Sequence, residues 1–224
     1  MAPSLRRFGR VWLKPVAFWL LIAPFAWIAW QWIALLAGWP NELGFNPEEY
    51  THRYLGDTAI RVLLAALAVT PFRDVTGWAP IMSIRRRIGL FAFAYAFLHI
   101  AFYLGVTLRF SLPALWDDVI ERAYITFGML AFAGLIPLAI TSHNALIRRL
   151  GAVRWRRLHS LVYPIAIFAV THHAFMVKVN QGGPWAHGII LAALLAWRIA
   201  KRFGLARPRA GARMKPAPSA APAS

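Results

Sequence analysis

The sequence contains no cysteine. That excludes disulfides, thiolate metal sites, Cys-ligated iron–sulfur clusters and covalent cofactor attachment through Cys-x-x-Cys-His. Acidic residues are scarce, eight against 25 Lys and Arg. Charged residues make up only 15% of the 224 residues, where a soluble domain carries about 25%. No Gly-x-Gly-x-x-Gly fingerprint is present, so pyridine nucleotide must be oxidised elsewhere. Internal repeats and alternating strand patterns are also missing. What fills the chain is apolar: 59% hydrophobic residues, with 11 Trp and 15 Phe suited to wide interfacial belts.

The net charge of +17 does not point to nucleic acid. The basic residues lie in short runs between long apolar stretches, which is how membrane topology is written. A spanning helix needs about 20 mostly apolar residues. Six segments qualify, at about 16–37, 55–72, 88–108, 119–140, 158–178 and 184–200. The run from Val16 is longer than a signal-peptide core and reads as a first span. The second span carries Asp57 and Arg61 in its first turns, and the sixth is short and leans on snorkelling Arg198, Lys201 and Arg202. With six spans and both termini inside, the inside segments hold 20 of the 25 Lys and Arg, and the outside loops hold seven of the eight acidic residues. Removing the second span would put Arg85, Arg86 and Arg87 on the acidic side, against the positive-inside rule. The expected architecture is an all-α membrane protein. It is a six-helix bundle over residues 1–203, with both termini cytoplasmic and a disordered Pro- and Ala-rich tail over 204–224.

Ionisable side chains inside a membrane are costly, so each carries a functional hypothesis. His52 and His187 fall at outside edges and His143 in an inside loop, where a solvated or interfacial histidine is the ordinary reading. His99, His159, His172 and His173 fall within the third and fifth spans. Both spans start at the inside face. His99 lies 12 residues past Arg87, ~18 Å along a helix, and His172 lies 15 residues past Arg157, ~22 Å. Two imidazoles at one depth on neighbouring helices can clamp an iron from both sides. Bis-imidazole ligation fills the axial positions of a porphyrin, whereas zinc wants three or four ligands and no carboxylate lies at this depth. His159 sits near the inside surface and points roughly 140° away from His172 on an ideal helix, unless a kink at Pro164 intervenes. His173 competes with His172 for the same role. Tyr95 and Tyr163, each four residues from a candidate ligand, line a cofactor or simply pack between helices. The inside arginines serve topology, or pair with cofactor carboxylates or phosphate.

The stretch from Arg86-Arg87-Ile88-Gly89 through Tyr95 to His99 resembles a known family, as do Tyr124-Ile125-Thr126 with Gly128 and Thr141-Ser142. The resemblance continues through Arg148-Arg149-Leu150-Gly151, Trp155, Arg157-Leu158-His159, Leu161-Val162-Tyr163, and His172 followed by Lys178. Weaker similarity covers Thr51-His52 and Leu67 to Gly77. Order and spacing over about residues 50–200 are similar to the MsrQ (YedZ) family, of the ferric-reductase-like transmembrane group. The resemblance implies an inner-membrane, multi-pass electron carrier with b-type haem ligated by residues corresponding to His99, His159 and His172. It also implies FMN and a cytoplasmic flavin reductase or quinol as donor. The acceptor it implies is a periplasmic molybdopterin enzyme, MsrP, that repairs methionine sulfoxide in envelope proteins. Two-haem relatives carry a further histidine about 14 residues, some four helical turns, from the first. Here that offset falls on Arg85 or Pro113. The expected function is therefore transmembrane electron transfer within lipid, without a methionine-sulfoxide-reducing centre of its own. Rival readings are a free-standing ferric or quinone reductase, a histidine-relay transporter, and an anchor without cofactor.

Overall fold

A computed structural model of the chain describes residues 9, 11–176 and 183–205, and the regular elements among them are all helical. The helices are α1 (Leu13–Leu36), α2 (Pro47–Thr76), α3 (Arg85–Phe102), α4 (Leu112–Glu121), α5 (Ala123–Ile140), α6 (Asn144–Leu150), α7 (Ala152–His159), α8 (Val162–Met176) and α9 (Gly183–Arg202). Five segments are long and apolar enough to cross a membrane: Leu13–Leu36, Pro47–Thr76, Arg85–Thr107, Ala123–Ile140 and Ala152–Met176. The expected sixth span is present as α9, a helix of 20 residues, but it is not among those five. Arg6, Arg7, Arg10, Lys178 and the tail from residue 206 lie outside the described residues.

Local chemistry moves several of the expected boundaries. α2 starts eight residues before the expected second span. The Asn46 side chain accepts from Glu49 N at 3.1 Å, Pro47 opens the helix, and Glu48 and Glu49 fall in the first turn. The helix ends at Gly77, whose φ of 71° is the left-handed conformation glycine accepts. Glu48, Glu49 and Asp57 therefore project from a helix rather than a loop. The expected fourth span starts four residues later, as α5: α4 ends at Glu121, Arg122 is extended, and α5 starts at Ala123. The expected fifth span is two helices, α7 and α8, separated at Ser160 and Leu161. Pro164 stands in the first turn of α8, four residues after Ser160, so its missing N–H and its ring fit the break there.

α1 carries a proline that interrupts its ladder. Pro24 lies inside it, and the Tyr95 hydroxyl of α3 enters the gap, accepting from Phe25 N at 3.1 Å and donating to Leu21 O at 2.6 Å. Tyr95 thus packs between helices. Tyr163 does the same, beneath the guanidinium of Arg198.

The core runs through α2, α3, α5 and α8, where Leu63, Leu67, Ala92, Leu135 and Ala166 are buried together. α1 closes a second cluster against α2 and α3, through Leu13, Ala17, Val69 and Ile88. The outer surface stays apolar: Trp19, Leu20, Leu36 and Ile189 are exposed, as hydrocarbon-facing side chains are in a bundle with lipid as solvent. Acidic residues gather at one end of the bundle, on α2's first turns and α4. Arginines gather at the other, around the α2–α3 connection, α6, α7 and the last turn of α9.

Candidate functional site

His99 of α3 and His172 of α8 meet in the acidic half of the bundle, with ring centroids 6.2 Å apart and planes inclined by 74°. The same local device holds each ring. His99 Nδ1 lies 3.0 Å from the His52 carbonyl oxygen on α2, and His172 Nδ1 lies 2.6 Å from the Tyr124 carbonyl oxygen on α5. A carbonyl can only accept, so each Nδ1 carries the proton and donates. Each Nε2 is left as a lone-pair nitrogen.

Four residues after each carbonyl stands a glycine, Gly56 and Gly128. That spacing puts it on the same helix face, one turn along. A Cβ on Gly56 would come within 3.0 Å of His99 Cε1, and one on Gly128 within 2.8 Å of His172 Nδ1. Glycine is what lets each ring lie flat enough on the neighbouring backbone to reach its carbonyl.

The two rings line a cavity of about 510 Å³, within the range of small-molecule and cofactor pockets. Small residues on four helices, Gly56, Ala92, Ala96, Gly128, Ala131 and Ala169, line it together with larger apolar ones such as Leu63 and Phe132, and leave an apolar slot. Its mouth is at the acidic end, beside Glu48, Glu49, Arg53 and Arg122. Arg53 pairs with Glu49 at 2.6 Å, and Arg122 with Asp118 at 3.2 Å. The Asp118 carboxylate raises the Arg122 guanidinium above its ordinary pKa. Two imidazoles on opposite sides of one metal, at metal–nitrogen bonds of about 2 Å, put their ring centres about 6 Å apart. The pair at 6.2 Å therefore fits an ion held axially from both sides. Among the described residues no group of three or more His, Cys, Asp or Glu could hold a metal by itself.

Residues 55–170 match the family described as ferric reductase like transmembrane component. A protein of Caulobacter vibrioides is 41% identical over 192 residues, 86% of each chain. One of Rhodospirillum rubrum is 40% identical over 193 residues, 86% of this chain and 88% of the relative. One of Xanthomonas euvesicatoria pv. vesicatoria is 40% identical over 201 residues, 90% of this chain and 91% of the relative. Each is named protein-methionine-sulfoxide reductase heme-binding subunit MsrQ. The chain belongs to the MsrQ family.

In this MsrQ-family chain the remaining histidines divide between the cavity and other places. His159 ends α7 at the basic end and lines no part of the cavity. Its Nε2 lies 3.1 Å from the Thr141 hydroxyl, and Trp155, one turn earlier, stacks on its ring at 4.0 Å. His173 also lines the cavity, with its Nδ1 3.5 Å from an Asp57 carboxylate oxygen and its ring 4.9 Å from that of His187 between centroids. His143 is exposed and caps α6. Two expectations fail. His52 is not a solvated edge residue: it stacks on His99 at 4.1 Å and lines the cavity. His187 is buried, 7% exposed, because α9 packs it against His173. The arginines Arg85, Arg86 and Arg87 do not line the cavity either, so cofactor carboxylates within it cannot pair with them. Gly56 was not singled out in the sequence, and Gly128 entered only as part of a resemblance motif; the signal for both as ring seats is the spacing His52-x-x-x-Gly56 and Tyr124-x-x-x-Gly128.

Proposed function

We propose that this chain is the transmembrane electron-transfer subunit of a methionine sulfoxide reductase system, holding haem b between His99 and His172. The observation that carries the reading is the tethered pair: two Nε2 lone pairs freed by two backbone carbonyls, with the rings 6.2 Å apart on one cavity. The MsrQ relatives named as heme-binding subunits support it.

Haem iron, held by His99 and His172, would supply one-electron transfer. The chain does the rest. The His52 and Tyr124 carbonyls hold the Nδ1 protons and so orient both rings. Gly56 and Gly128 give the rings their seats. The alanine-lined slot excludes water and favours a flat apolar group. Arg53 and Arg122, at the mouth, are the cations within reach of carboxylates at that end.

The distribution of charge supports an inner-membrane topology with six spans, α9 the sixth, and with both termini cytoplasmic. The mouth then faces the periplasm, where a molybdopterin partner, MsrP, takes the electrons. A flavin (FMN), flavin reductase or quinol donates at the basic end, near His159. His159 either ligates a second haem or positions that donor.

Haem per chain and the reduced-minus-oxidised visible spectrum test the reading. The purified chain is expected to show a low-spin b-type spectrum that is lost in His99→Ala and in His172→Ala. A colourless haem-replete preparation, or a spectrum indifferent to both substitutions, sinks it. Membranes containing the chain and its periplasmic partner should reduce a methionine-sulfoxide protein, and membranes lacking the chain should not.

A further inference from the structure

The basic end holds an unbalanced group of buried polar atoms, separate from the histidine cavity. Asp74, in the last turn of α2, is buried and accepts from Arg73 Nε at 3.0 Å and from Lys201 Nζ at 2.5 Å. Arg85, opening α3, has Arg73 and Arg198 as charged neighbours. Arg198, on α9, lies over the Tyr163 ring at 5.2 Å, and its Nη2 is buried without a hydrogen-bond partner among the described residues. The Thr70 hydroxyl, one turn before Asp74, is buried without a partner as well.

Four cations therefore share one carboxylate. No other acidic side chain of this protein can balance them. The seven remaining Asp and Glu residues belong to the acidic end, and residues 1–12, 177–182 and 206–224 contain none. A buried guanidinium N–H without an acceptor is costly, and among the described residues no further carboxylate lies at this end to balance the cations.

We propose that this pocket, framed by α2, α3, α8 and α9, binds the phosphate of an anionic phospholipid. Guanidinium groups present several N–H donors in a geometry matched to phosphate oxygens. The cluster lies at the ends of spanning helices, the level at which lipid headgroups lie, and basic sites so placed take anionic headgroups. The excess of positive charge selects an anionic lipid over a zwitterionic one.

Native mass spectrometry of the purified full chain in phosphatidylcholine-containing micelles, with phosphatidylglycerol added, tests this. The wild type should retain phosphatidylglycerol. Arg198→Gln should retain it about fivefold less, the effect of one lost cation near a headgroup. Arg85→Gln should act similarly, and it reads the pocket if Arg198→Gln does not fold. Arg148→Gln, at an exposed arginine of α6, should leave retention unchanged. Four outcomes overturn the proposal: equal retention by wild type and pocket variants, an equal loss in Arg148→Gln, retention of phosphatidylcholine as strong as that of phosphatidylglycerol, or displacement by equimolar inorganic phosphate.

Discussion

His159 and His172 stand 13 residues apart on consecutive helices, and they are held in opposite ways. His172 gives its Nδ1 proton to a backbone carbonyl, which leaves Nε2 free on the cavity. His159 uses Nε2 itself. The Thr141 hydroxyl donates to Pro137 O at 2.6 Å, so toward His159 it accepts, and the His159 Nε2 is a donor. His172 rests on a glycine of the next helix, whereas His159 lies under Trp155 of its own helix. The contrast teaches that depth and residue type nominate a ligand, while the tautomer set by the acceptor decides which nitrogen is available.

The largest expected effect breaks the comparison outright. His172→Ala should remove the haem held in the cavity, while His159→Ala should keep that haem and lose at most a second one; haem-to-protein ratios by absorbance check both. If the two variants lose the cavity haem equally, the distinction between the sites fails. Next comes Gly128→Ala, whose Cβ would meet the His172 ring at 2.8 Å. It should weaken haem retention about tenfold, in the range of altered outer-sphere partners of a metal ligand. Gly56→Ala, with its nearest contact at 3.0 Å, should do less. Dissociation of haem to apomyoglobin ranks the pair, and no loss in either would show that the glycine seats are incidental. A finer test uses the 74° between the ring planes. Near-perpendicular axial imidazoles should produce a strongly anisotropic low-spin ferric EPR signal, and a rhombic signal from parallel planes would contradict the observed ring setting. The smallest effect concerns the other histidine. Thr141→Val should cost about 1 kcal/mol of stability through the lost hydrogen bonds and leave the haem potential unchanged. Thermal unfolding and a redox titration separate these readouts.

Much of this was legible along the chain. Arg85–Arg87 and Arg154–Arg157 start the two helices from the same end, so counting residues sufficed to match His99 with His172 in depth. His52 was misjudged because its importance lies in its main-chain oxygen and its stacked ring, neither of which residue type advertises. His173 competes with His172 in sequence because one residue is only ~100° of turn. Packing separates them, His172 against Gly128 and His173 toward Asp57 and His187. The break before Ala123 follows Glu121 and Arg122, and the one after His159 lies four residues before Pro164; both carry polar or proline signals, but where the backbone turns is set by packing.

Sequence by itself determined a membrane bundle, its acidic and basic ends, and which histidines share a level. Those properties follow from transfer free energy and helical rise, which add residue by residue along one chain. Only the tertiary structure decided which carbonyl each imidazole reaches, which glycine seats it, and that Arg53 and Arg122, rather than Arg85–Arg87, face the cavity. Those are contacts between segments about 50 residues apart, fixed by how closely the helices approach.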